Sequence, residues 1–447
     1  MNLGSRSVQR TAMTLAATFA VLALGAPRAA AEPANTLPGG ILAEARAGFT
    51  PEQARKLRQG YSPEALIAAG DVALFHFLDI GLWLETEIAA RSGAVMPLEV
   101  RLDPAIGQTH VGTAGGGLPL LAYLRSEKSR AQGMIVMQGG RIIFEDYPGM
   151  RPTDNHVWMS ISKTTASLVV RQLVEEGKID VDKPIDSYIP ALRGTEWRGT
   201  RVIDVLDMAS GMDIVENQAN RENPHSIIAR YNHATVGEPN ADGKVESQLE
   251  VIRTAKRMGP AGVAFDYSSL NTTVLALLAE AVEGRRWGDI FQDRVWAKMG
   301  VEGDMQVALA PDGTPQAHGL LATRLRDLAR YGLLYTPSWA KASREQIVSD
   351  AYVHEIQTGG RQQIFRKGEL GNVMAKAVFP AHPPSANHWQ WDAIWDDGDF
   401  FKGGVFGQGL YVSPRNDLVV AWYSTVMSSD LPQYARQISD DLGKRKP

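Results

Sequence analysis

Cysteine is absent from this chain of 447 residues. That excludes disulfides, thiol catalysis, thiolate metal sites and a lipid-bearing cysteine, so stability has to come from a buried core. The nine histidines are scattered, with no H-E-x-x-H or similar spacing to hold a metal. The glycine run from Gly112 to Gly117 lacks the G-x-G-x-x-G or Walker spacing and is expected to be a loop. Excess positive charge is missing as well: the net charge of -4 argues against a nucleic-acid partner.

What is there describes a globular protein, with 44% hydrophobic and 21% charged residues and enough length for two or three domains. Residues 1–31 differ from the rest. Arg6 and Arg10 precede an apolar run from Ala12 to Ala26, and Ala29-Ala30-Ala31 offers a small-residue cleavage site, so a secretory signal is expected. The run is short for a membrane span, and an uncleaved anchor is the alternative. Its removal takes away three arginines and no acid, moving the charge from -4 to -7. A periplasmic or secreted protein with no stable membrane span is the expectation.

The stretch around which the chain is organised is Trp158-Met159-Ser160-Ile161-Ser162-Lys163, opening a helix that runs to about Gly177. Ser160 and Lys163 are three apart and share a helix face. A serine hydroxyl needs a neighbouring base, and a lysine held neutral by burial or by other cations can be one. The free N–H groups of the helix start suit a developing oxyanion. Alone, the pair is equally an ordinary helix start. A second S-x-x-K, Ser338 to Lys341, has no apolar stripe behind it and reads as chance, whereas Ala166, Val169, Val170 and Leu173 can anchor the first.

Residues 32–130 read as a lead of helices and irregular pieces, in which His76 between two phenylalanines is a packed side chain. Met134 to Met137 and Arg141 to Phe144 form a hairpin around Gly139-Gly140, and Gly409 to Pro414 with Leu418 to Thr425 form another. Helices are expected at 202–208, 271–283, 290–299, 324–331 and 431–442, and a long loop or lid from Asp213 to Asp242. The two hairpins predict an α+β fold: one antiparallel sheet from both ends of a domain spanning 131–447, with a helical lobe inserted at about 160–340. The site is then expected between them.

Two further stretches complete a constellation. Phe265-Asp266-Tyr267-Ser268-Ser269 puts a phenol and two hydroxyls in a turn before a helix, where Ser268 or Ser269 can act as N-cap. Alone, Tyr267 reads as a turn residue. Phe401-Lys402-Gly403-Gly404 leads into the last hairpin, and glycines there let a substrate approach the main chain.

Together these pieces resemble the serine β-lactamase and penicillin-recognising family, in the branch with class C β-lactamases, carboxylesterases and 6-aminohexanoate-dimer hydrolases. The likeness spans roughly Gly133 to Thr425. It takes in Ser160 to Lys163, Asp207 to Gly211, Pro260 to Tyr267, Tyr267-Ser268-Ser269 and Arg326 to Gly332. The resemblance implies Ser160 as nucleophile, activated jointly by Lys163 and Tyr267, and an oxyanion hole from the N–H groups of Ser160 and about Gly404. It implies a substrate pocket with Ser269, Trp391, Phe401, Lys402 and Gly403, and no cofactor or metal. Acidic residues Asp392, Asp396, Asp397 and Asp399 near Trp391 would suit an amine-bearing substrate, or form a solvated loop with the tryptophans turned inward.

One departure matters. Where the family reads Lys or His, Thr or Ser, then Gly, this chain offers Phe401-Lys402-Gly403 or, one residue on, Lys402-Gly403-Gly404. Neither register restores the whole carboxylate-binding feature, which favours an ester or amide substrate, or a short oligomer, over a β-lactam. Glu216 and Asn220 mimic the spacing of a deacylating glutamate and are set aside as coincidence. A β-lactamase, a DD-peptidase and a non-catalytic penicillin- or peptidoglycan-binding protein remain the alternatives, and the oligomeric state stays open.

Overall fold

The computed structural model describes residues 39–112 and 117–445. The expected leader at 1–31 and most of the Gly112–Gly117 run lie outside the described residues.

Twelve strands are described: β1 (Thr86–Ala89), β2 (Glu99–Val100), β3 (Ala131–Gln138), β4 (Arg141–Asp146), β5 (His156–Val157), β6 (Met305–Ala308), β7 (Leu321–Thr323), β8 (Ala386–His388), β9 (Trp391–Ile394), β10 (Phe400–Gly404), β11 (Gln408–Ser413) and β12 (Leu418–Ser424). Eight form the main sheet in the order β2-β4-β3-β12-β11-β10-β9-β8, antiparallel except at the β2–β4 edge. The first hairpin, turning on Gly139 and Gly140 at φ 59° and 71°, lies beside the last one through β3 and β12. The sheet is thus assembled from both ends of the chain, as expected.

Both faces of this sheet are covered, so its strands are buried throughout rather than half-polar. On β12, Val419, Ala421 and Tyr423 belong to the core shared with the Leu325–Leu333 helix, while Leu418, Val420 and Trp422 pack with Leu431, Tyr434 and Ile438 of the C-terminal helix. Asp399 helps fasten that last helix, accepting hydrogen bonds from Tyr411, Ser439, Arg415 and Arg436.

A smaller antiparallel sheet, β1-β6-β7-β5, leads directly into the organising stretch. Trp158 N–H donates to the Leu321 carbonyl just beyond β5, and Met159 then turns with φ 48°, a left-handed conformation that costs a non-glycine residue roughly 1–2 kcal/mol. A 3₁₀ turn over Met159–Ser162 hands on to the helix Lys163–Glu175, whose Ala166, Val169, Val170 and Leu173 are all buried. It packs against Ser269–Glu283. That helix is capped by Ser268, which accepts the Leu270 N–H, and ends at Gly284 in the left-handed region.

The expected loop over 213–242 is corrected: it contains helices Gln218–Glu222 and Ile227–Val236. Its polar composition hid a stripe of Ile227, Ile228, Tyr231 and Ala234 that packs into the core. No helix among the described residues is long and apolar enough to cross a membrane.

Candidate active site

Three elements meet at Ser160. The 3₁₀ turn carries Ser160 and, one turn on, the fully buried Lys163. The start of the Ser269–Glu283 helix brings Tyr267 and Ser269. β10 brings Lys402, Gly403 and Gly404 against the turn: a Cβ at Gly404 would lie 2.9 Å from both Met159 Cβ and the Trp158 carbonyl. Only glycine lets the strand approach so closely.

Lys163 Nζ has three oxygen neighbours: Ser160 Oγ at 3.2 Å, Ser269 Oγ at 3.0 Å and the His318 main-chain carbonyl. Burial drives its pKa down from the ordinary 10.5 to about 7; Glu216 opposes this and Lys402 adds to it. Tyr267 behaves in the opposite sense. Burial, with the negative charges of Asp392 and Glu216 nearby, holds its phenol well above the usual value, against a hydrogen bond to Ser160. Its ring lies between two lysines, with Lys163 Nζ 5.3 Å and Lys402 Nζ 4.9 Å from its centroid.

Lys402 is fully buried and its Nζ contacts Asp392 Oδ1 at 2.5 Å, while Asp392 Oδ2 accepts the Gly403 N–H at 3.1 Å. Successive residues of a strand face opposite ways, and this settles the register. Lys402 turns toward Tyr267, whereas Phe401 points from the other face of the strand and is buried on Trp422, with centroids 5.9 Å apart. Phe401 is thus a buried core side chain rather than an open pocket wall. So is Trp391, 4.5 Å from Phe400 and 5.3 Å from Tyr335, centroid to centroid.

The acidic wall is also largely spent elsewhere. Asp397 and Asp399 pair with Arg415 and Arg436, and Asp396 accepts the Ser385 hydroxyl. Asp392 alone of the four contacts a residue beside Tyr267, so the expectation of an amine-binding wall loses its basis.

Glu216, set aside from sequence, belongs to the site. Its carboxylate accepts the Ser269 N–H and pairs with Arg221 at 3.0 Å, while the Glu216 main-chain N–H donates to the Tyr267 carbonyl. Burial would raise its pKa, but Arg221, Lys163 and the Ser269 N–H together hold it below the usual value. The Asn220 amide serves only the local turn, donating to the Val215 carbonyl. Proximity to Tyr267, which no spacing rule reveals, is what brings Glu216 in. His318 was also missed. Its imidazole, half-buried, is pushed down to about 3 by desolvation and by Lys163, with Nδ1 3.1 Å from the Tyr231 hydroxyl.

The second S-x-x-K serves structure: Ser338 donates its hydroxyl to Asp417 Oδ2 at 2.6 Å, and Lys341 lies against the β3–β4 turn at Gly140.

Against known proteins, the sequence pattern of the family described as Beta-lactamase matches residues 124–442. A 6-aminohexanoate-dimer hydrolase from Paenarthrobacter ureafaciens is 29% identical over 353 residues, 78% of this chain and 84% of that protein. Among solved structures, a candidate 6-aminohexanoate-dimer hydrolase from Bacillus anthracis superposes with a TM-score of 0.69 at 19% identity, covering 83% of this chain and 94% of that one. EstCE1, described as a hydrolase with promiscuous acyltransferase activity, gives 0.52 at 16% identity over 71% and 94%.

Proposed function

Since the chain belongs to the Beta-lactamase family and is a serine hydrolase, we propose that it cleaves uncharged ester or amide bonds through an acyl-enzyme on Ser160. The observation that carries this is the buried Lys163 amine 3.2 Å from the Ser160 hydroxyl. A neutral amine has two N–H donors and one lone pair. The His318 carbonyl and Ser269 Oγ take the two donors, which leaves the lone pair for the Ser160 proton.

In acylation the Ser160 Oγ–H bond breaks toward Lys163 Nζ as Oγ attacks the substrate carbonyl carbon. Main-chain N–H groups of Ser160 and of the Gly404 stretch receive the oxyanion. The leaving oxygen or nitrogen takes the proton back from Lys163, with the Tyr267 phenol, kept protonated, as the relay. Water then attacks the acyl carbon by the same steps in reverse and frees Ser160. Of the two groups that could activate Ser160, this reading makes Lys163 the base.

A substrate without a carboxylate beside the scissile bond is favoured because the only lysine of β10 is already paired with Asp392, leaving no carboxylate receptor there. Likeness to a 6-aminohexanoate-dimer hydrolase supports short amide oligomers, whose end charges lie several methylenes from the scissile bond, among the substrates. Export belongs to the same reading and rests on the leader pattern of residues 1–31. The test is a fluorophosphonate probe with a panel of p-nitrophenyl esters and amide dimers. Stoichiometric labelling that disappears in Ser160→Ala, together with turnover, is expected. An unlabelled wild type, or equal labelling of the variant, overturns the proposal.

A further inference from the structure

The Lys402–Asp392 pair is poorly explained as a stabilising contact. A fully buried lysine loses its hydration, and such pairs are often matched or bettered by apolar side chains of similar size. Burial does push the Lys402 pKa down, and Asp392 works against that shift. What the pair does have is a specific placement. One Asp392 oxygen holds the ammonium that lies 4.9 Å from the Tyr267 ring centroid, and the other holds the N–H of Gly403. Gly403 is the neighbour of Gly404, where a Cβ would collide with the turn presenting Ser160.

We propose that Asp392 and Lys402 are positioning residues that act as one unit, locking the Tyr267 ring and the Gly403-Gly404 main chain in register with Ser160. A single carboxylate ties together the group that relays the proton and the strand that receives the oxyanion. Two parts of the site borne on different elements are thereby set to the same distance scale, within which small errors are expensive. The inference rests on the reading of Ser160, Lys163 and Tyr267 as the reacting groups.

The experiment compares wild type, Asp392→Leu, Lys402→Met and the double variant Lys402→Met/Asp392→Leu, with active sites counted by fluorophosphonate titration. The double variant removes both charges and keeps the volume apolar, so its melting temperature should return close to that of wild type. Its kcat per titrated site should nevertheless remain about ten-fold or more below wild type with KM little changed, and be no lower than the worse single variant. A double variant that regains wild-type kcat along with its stability would make the pair structural and overturn the proposal. Losses that multiply between the single variants would also overturn it, since the residues would then act separately. Failure of the wild type to label would instead sink the serine-hydrolase mechanism, leaving the two results distinguishable.

Discussion

Replacing Lys163 with methionine should abolish activity and, at neutral pH, make the protein more stable. Folding lowers this amine's pKa from 10.5 to about 7, so the folded state binds the proton less tightly than the unfolded chain. Below about pH 7 both states are protonated and the folded state bears the full penalty, about 5 kcal/mol at 1.36 kcal/mol per unit. Above pH 7 the folded amine is neutral while the unfolded one is still charged, and the penalty shrinks by about 1.4 kcal/mol per pH unit until it vanishes near the unfolded value. Methionine removes this penalty but leaves the His318 carbonyl and the Ser269 hydroxyl without their partner, at about 1–3 kcal/mol. The variant should therefore gain roughly 2–4 kcal/mol at pH 6–7, lose the gain steadily and cross to net destabilisation near pH ~9. Urea denaturation of both proteins between pH 6 and 9.5 reads this directly. A stability difference that stays flat with pH, or a variant less stable at pH 6, would mean that Lys163 remains an ammonium ion and cannot be the base.

The same amine should give kcat/KM for a neutral ester an acid limb near pH 7, the activity rising as Lys163 loses its proton. Glu216→Gln removes the anion that most supports the charged form, so the limb should move to lower pH by up to about one unit; an upward shift would contradict the placement of Glu216. Nitrocefin, whose carboxylate finds Lys402 already occupied by Asp392, should be hydrolysed with kcat/KM roughly 100-fold below that of p-nitrophenyl butyrate, as expected for a missing charged hydrogen bond. Comparable rates in a spectrophotometric assay would refute the assignment of substrate charge.

What the sequence determined by itself is everything that depends on neighbours along the chain. Short apolar runs bracketing Gly139-Gly140 and the turn after Pro414 gave the hairpins, and the apolar stripe behind Lys163 gave the helix that fixes Ser160, because strand-length runs and helix periodicity are local properties. The order of motifs pointed to the family for the same reason. Tertiary structure alone decided which polar groups face one another. Lys402 and Asp392 are ten residues apart and meet only because β9 and β10 pair, while Phe401, equally plausible in the sequence, is turned away by the pleat. Glu216 reaches Ser269 from a distant segment whose composition reads as loop. The low pKa of Lys163 is decided there too, since desolvation depends on what closes over the amine, and that closure comes from residues more than a hundred positions away.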